Sequence, residues 1–172
     1  MTDVGIASIA GYIPKLRLLR KSVAEANAWM APNLVGKGKG TKSISNWDED
    51  SVTMSVEAAR RVLGPEDDRS YVDNLFLAST TMPFADRLNS GIIRAALTLD
   101  ESTLCTDISS SLKCGTTALI NAISTVQSGK SNYSLVVASD KRKSRVASSQ
   151  ELDFGDASTA VSISNENIIA KV

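Results

Sequence analysis

Two periods alternate along the chain. Short apolar runs of strand length are separated by stretches in which apolar residues recur every three or four positions. Residues 5–13 alternate loosely and predict a first strand, closed by Pro14. Ser22 predicts the N-cap of a short helix carrying Val23, Ala24, Ala26 and Trp29. Residues 32–45 predict a loop, with Gly36-Lys37-Gly38-Lys39-Gly40 at its centre. Asp48 or Asp50 then opens an amphipathic helix whose apolar face is Val52, Met54, Val56, Ala58, Ala59, Val62 and Leu63, and Gly64-Pro65 ends it. Residues 72–81 predict a second strand, residues 104–111 a third, 133–139 a fourth and 157–164 a fifth. Helices are predicted from Asn89 and over 115–127, the latter ending at Gly129. Residues 168–172 read as the start of a further element.

Strands alternating with helices imply βαβ units and a mixed, mostly parallel five-stranded sheet covered on both faces. The helix over 115–127 constrains the packing most. Ala118, Leu119, Ile120, Ala122, Ile123 and Val126 are apolar, its remaining residues are small or mildly polar, and it carries no charge. A helix without charge on any side is usually buried on every side. One five-stranded sheet covers only one side, so a second layer is expected on the other, from a partner chain or a further segment. The alternative is a Ser/Thr-rich helix that is half exposed.

Composition narrows the class. The chain has 172 residues, 42% hydrophobic and 22% charged, which suits one domain with a sizeable core. Its formal net charge is zero, which gives no argument for nucleic acid or an anionic membrane surface. No apolar run has the length of a membrane span, and the N-terminus lacks a secretory pattern. Two cysteines without a disulfide framework fit a reducing, cytoplasmic setting. There is no histidine, so Ser-His or Cys-His catalysis from these residues alone is excluded, and a metal site is not expected.

The stretch from Asp107 to Leu119 runs from strand through a sharp turn into helix. A cysteine at such a turn gains thiolate character from the free N–H groups and dipole of the helix N-terminus. Leu112 stands at the turn itself, and the nearest thiol, Cys114, lies two residues on.

Together with Gly11-Tyr12-Ile13-Pro14, Asp48-Glu49-Asp50-Ser51-Val52-Thr53-Met54, Ala78-Ser79-Thr80-Thr81, Leu135-Val136-Val137-Ala138-Ser139-Asp140 and Phe154-Gly155-Asp156-Ala157, this turn resembles the N-terminal half of thiolase-superfamily condensing enzymes. The nearest branch is that of 3-hydroxy-3-methylglutaryl-CoA (HMG-CoA) synthases and ketoacyl-ACP synthase III. The resemblance implies residues 1–172 as one thiolase-like α/β half with a buried central helix. It also implies an acyltransferase acting on coenzyme A thioesters as substrates, with no covalently bound cofactor, and a C-terminal half or thiolase-like partner chain that supplies histidine. A non-catalytic scaffold subunit is the alternative. A small zinc-ribbon and OB-fold partner belongs to the same expectation.

Carried over residue by residue, the family's nucleophile falls on Leu112 and the synthase branch's catalytic glutamate on Thr80. Leucine forms no thioester, so independent catalysis is not expected. Cys114 reads as a displaced nucleophile or, in the favoured reading, as a small buried residue; Cys105 reads as core. Thr80, Ser111 and Leu112 would shape the elbow and acyl pocket, and no base is available to make Ser109, Ser110 or Ser111 a nucleophile. Trp29 is a candidate for stacking on the adenine of CoA, or an anchor for the first helix. Lys37, Lys39, Lys42 and Lys113 are candidates for its phosphates, or solvated lysines. The basic run Lys141-Arg142-Lys143 with Arg145 would steer an acidic carrier or CoA, or form a solvated loop, the second being favoured. Asp156 reads as a turn residue fixing the start of the fifth strand.

Overall fold

A computed structural model describes residues 3–65 and 68–172. In chain order the strands are β1 (Gly5–Tyr12), β2 (Leu16–Leu19), β3 (Thr41–Ile44), β4 (Asn74–Ala78), β5 (Leu104–Ile108), β6 (Tyr133–Asp140), β7 (Ala157–Ser164) and β8 (Ala170–Lys171). The helices are α1 (Arg20–Ala26), α2 (Ser51–Leu63), α3 (Asn89–Ala96), α4 (Cys114–Gln127) and α5 (Ser149–Asp153), with a 3-10 helix at Pro32–Lys37. Among the described residues the main sheet has six strands in the order β5-β4-β6-β7-β1-β8. The parallel pairs are β4 with β5 and β4 with β6; β7 opposes both β6 and β1, and β8 opposes β1. Four strands therefore run one way and two the other. The five strands expected become six because residues 168–172 do extend the sheet, through β8.

Each face of the sheet carries its own core. On one, α2 and α3 close over Leu75, Leu77, Leu135, Val137 and Ala160. Asp50 starts α2 with its side chain accepting from the Val52 and Thr53 amides while its own amide donates to the Thr53 hydroxyl oxygen. This reciprocal cap contributes about 1 kcal/mol. On the other face α4 lays Cys114, Ala118, Ala122 and Val126, an i, i+4 stripe, onto Phe76, Ala78, Val136 and Ile163. Gly129, with φ +71°, ends α4: its amide bonds the Val126 carbonyl and the Lys130 amide bonds that of Thr125, the paired bonds of a Schellman motif.

Among the described residues α4 is covered on one side only. Thr116, Thr117, Asn121 and Ser124 are exposed, and Ile120 is 56% exposed. The all-round burial expected of this helix is thus not met by the described residues, and its uncharged outer face stands open.

Three local expectations are corrected. Ser22 does not cap α1; the helix begins at Arg20 after Leu19, with no side-chain cap. Arg20 sets that start by tertiary bonds, its amide donating to the Gly40 carbonyl at 3.0 Å and its Nε to that of Leu152 at 2.7 Å. Trp29 lies beyond α1, in the turn that follows. Residues 32–45 are not one loop but a 3-10 helix and β3, which pairs antiparallel with β2, Leu16 opposite Ile44. With α1 and α5 they form a cap with its own small core of Ala24, Leu34 and Leu152.

Candidate functional site: the strand ends and the elbow

The C-terminal ends of β4, β5 and β6 lie side by side, the edge of a parallel arrangement where α/β folds gather chemistry. Thr80 follows β4, the elbow follows β5, and Asp140 closes β6. One oxygen of Asp140, Oδ1, accepts from the Thr80 amide at 2.7 Å, the Thr80 and Ser79 hydroxyls at 3.1 Å each, and the Thr81 hydroxyl at 3.2 Å. The Ser51 hydroxyl donates to the Thr81 carbonyl at 2.8 Å, and the Lys141 amide to the Thr81 hydroxyl at 2.9 Å. Thr80 is thereby locked by a neighbouring carboxylate and supplies none of its own. Sequence reasoning missed the role of Asp140. Its signal was present: a carboxylate at the end of a buried strand needs donors, and the Ser-Thr-Thr run supplies them.

The elbow is set by Ser110, whose φ of +66° reverses the chain between β5 and α4. Non-glycine residues in this region are uncommon and mark imposed turns. The Ser111 hydroxyl accepts from the Lys113 amide at 3.1 Å, and its carbonyl accepts from the Cys114 amide at 3.1 Å, so Ser111 stabilises the turn. Leu112 projects from it, 77% exposed, and Lys113 is exposed beside it.

Cys114 is 7% exposed. Burial pushes its thiol above the ordinary value, and the Asp140 carboxylate adds to this; the N–H groups of Gly115 and of Cys114 itself oppose it without prevailing. The helix N-terminus is present, but dehydration and a nearby negative charge outweigh it. The packing reading of Cys114 accounts for this environment. Cys105 is partly buried against the opposite core, and burial raises its thiol as well.

Asp107, the last carboxylate before the elbow, has a task the sequence did not disclose. Its Oδ2 accepts from the Asn89 amide at 2.7 Å and side chain at 2.9 Å, and Oδ1 from the Ser90 amide at 2.8 Å. Burial pushes its carboxyl up, but these bonds prevail and hold it below the usual range. The start of α3, which has no cap of its own, is thus fastened to β5.

The structure brings Thr80, Ser111, Leu112, Lys113 and Cys114 to one end of the sheet. Trp29, Lys37 and Lys39 instead belong to the cap, where Trp29 is 79% exposed and both lysines are exposed. The exposed Trp29 does not anchor α1. The cap hangs on the same end of the sheet: the Ser45 amide donates to the buried Asp156 carboxylate at 2.8 Å, and Ser43 exchanges bonds with the Asp156 backbone. Asp156 precedes β7 not as a turn residue but as a buried carboxylate that ties the cap to the sheet. Lys42 donates to the Glu151 carbonyl. The run 141–145 is not a plain solvated loop, because Lys141 Nζ donates to the Glu49 carbonyl at 2.7 Å and the Arg142 guanidinium lies 4.2 Å from the centre of the Phe154 ring.

This topology is a thiolase-like α/β fold. PksG, an HMG-CoA synthase from Bacillus subtilis, superposes with a TM-score of 0.83 at 19% identity, covering all of this chain and 42% of that one. A 3-oxoacyl-(acyl carrier protein) synthase III from Pseudomonas aeruginosa superposes at 0.78 and 22% identity, covering 94% of this chain and 51% of that one. In sequence, hydroxymethylglutaryl-CoA synthases from Pyrobaculum aerophilum and Archaeoglobus fulgidus are 28% and 29% identical over 174 and 175 residues, 100% and 98% of this chain. The chain spans about half the length of these curated relatives, 50% of each. No family model matches it. In sequence the chain is thus similar to half of the hydroxymethylglutaryl-CoA synthases, and in fold to half of the synthase III and PksG chains.

Proposed function

We propose that this chain is one half of an acyl-CoA condensing enzyme, forming or cleaving carbon–carbon bonds on CoA thioesters, and that its own elbow carries no nucleophile. The observation that supports this most is Leu112, exposed at the turn where the family places its thiol, with Cys114 buried behind it. In this reading the elbow and Thr80 shape one wall of the acyl pocket. The thiol that accepts the acyl group, and the imidazole that moves its proton, come from a partner chain or second half. Backbone N–H groups near the reacting carbonyl would stabilise its oxyanion.

A scaffold role is the second reading. It is favoured by the open face of α4 around Ile120, which offers a surface for an active homologue. Native mass spectrometry of the chain purified from its own source tests the assembly. A histidine-containing thiolase-like polypeptide in the complex supports both readings, and acyl-CoA turnover that needs a pocket residue such as Thr80 separates the first from the second. A small zinc-ribbon partner would register as a further mass. A lone chain that binds no acyl-CoA contradicts both.

A further inference from the structure

The formal charge of zero conceals a segregation. Residues 13–45, which hold β2, α1, the 3-10 helix and β3, carry seven of the nineteen lysines and arginines and one of the nineteen acidic residues. Their net charge is +6, and that of the remaining residues is −6. Lys15, Arg17, Lys21, Lys37 and Lys39 are exposed. Glu25, the one carboxylate of this segment, pairs with Lys21 at 3.6 Å; the other four cations form no ion pair among the described residues. The fold gathers part of this charge. A Cβ at Gly38 would lie 3.0 Å from the Ala24 Cβ and 3.0 Å from the Lys21 Cα, so the turn bearing Lys37 and Lys39 is pressed against the start of α1.

Exposed apolar side chains stand among these cations. Both tryptophans of the chain are here, Trp29 in the turn after α1 and Trp47 in the turn after β3, the second 90% exposed. Met30, Val35, Leu16 and Leu19 are exposed as well. They sit on a turn, the 3-10 helix and a two-stranded ribbon, interleaved with lysines, and do not form one stripe on one element. A folded partner needs a contiguous complement to such side chains. A bilayer surface does not: indoles and aliphatic tips settle at headgroup depth wherever they protrude, and ammonium groups meet lipid phosphates beside them.

We infer that this cap docks on an anionic bilayer surface. Trp29 and Met30 enter the headgroup layer, and Lys21, Lys37 and Lys39 face the lipid phosphates. Each cation near such a surface favours the bound state by roughly fivefold, so four unpaired ones make the docking strongly dependent on lipid charge and on salt. No helix among the described residues is long and apolar enough to cross a membrane, and the contact inferred is with the surface alone. The inference does not depend on the condensing-enzyme reading. Trp29, Lys37 and Lys39 are also the candidates for coenzyme A, so the test is made in its absence.

Co-sedimentation of the chain, in whatever assembly it purifies, with large vesicles tests it. One set is phosphatidylcholine alone and the other contains roughly one third phosphatidylglycerol. Tryptophan emission is the second readout, and the difference between parent and Trp29→Ser isolates the contribution of this surface. Saturable binding to the anionic vesicles with a blue shift, lost as salt rises, is expected. The double variant Lys37→Gln/Lys39→Gln changes only exposed side chains and should bind at least roughly tenfold more weakly. Trp29→Ser should bind more weakly and lose part of the blue shift. Equal binding to both vesicle sets, absence of co-sedimentation or of the blue shift at low salt, or binding unchanged in both variants overturns the inference. Binding to poly-L-glutamate without binding to anionic vesicles also overturns it, and assigns the cap to an acidic protein instead.

Discussion

Replacing Asp107 by alanine tests whether the start of α3 is held by β5 rather than by its own sequence. The carboxylate accepts three hydrogen bonds, at 2.7, 2.8 and 2.9 Å, from Asn89 and Ser90, which are 1% and 0% exposed. A hydrogen bond to a charged group contributes about 1.5–3 kcal/mol, and an orphaned buried donor costs about 1–3 kcal/mol. Because the three bonds share one carboxylate they do not add independently, and dehydrating that carboxylate offsets part of the gain. A net loss of about 3 kcal/mol is expected, which for a chain of this size lowers the melting temperature by about 6–12 °C. Asp107→Asn should also destabilise, because both carboxylate oxygens are in use and an amide turns an N–H₂ toward one of the donors. The sign with pH follows from the depressed carboxyl. Its stabilisation is complete above the ordinary value of 3.8 and is lost as pH falls through the lower folded value. Urea unfolding of parent and variant should therefore give a gap that holds constant from about pH 8 to pH 5 and narrows only in stronger acid. A gap below about 1 kcal/mol at neutral pH would refute the reasoning. So would a gap that closes well above pH 4.

Cys114, buried and raised by both burial and Asp140, should alkylate with iodoacetamide far more slowly than a free thiol until the chain is unfolded; equal rates would show that the site is open. Ile120→Asp on the open face of α4 should lower self-association of the isolated chain and weaken assembly with a thiolase-like partner; unchanged association and assembly would mean this face is not an interface. Tyr12 donates to the Glu49 carboxylate, and that bond, with burial and negative charge nearby, pushes its hydroxyl up to about 12. Ultraviolet titration of the parent against Tyr12→Phe should place its ionisation about two units above an ordinary tyrosine, and a difference spectrum centred near 10 would contradict this.

What the sequence made legible was the local signal. Asp50 and Gly64 bound α2 as their chemistry requires, and β7 coincides with the expected residues 157–164, which begin directly after Gly155-Asp156. The ribbon of β2 and β3 was hidden because its strands are four residues each, mostly exposed, and separated by a helix, so neither periodicity nor turn chemistry marks the pairing. The site divided in the same way. Leu112 and Thr80 were found by motif position. Asp140 and Asp107 act through space, on donors about 60 and 18 residues away; the Ser-Thr-Thr run signalled the need of the first for donors but not the pairing, and nothing marked the second. Cys114 was ambiguous because helix position lowers a thiol pKa while packing raises it, and only the fold sets the balance.

The central claim is that the acyl group is carried elsewhere than on this chain. Incubation of the purified assembly with acetyl-CoA, followed by intact-mass measurement and peptide mapping of every polypeptide, tests it directly. An acetyl adduct confined to a cysteine of a partner or second half is the predicted result. An adduct on Cys114 or on Ser109, Ser110 or Ser111 would contradict it and make this elbow catalytic in its own right.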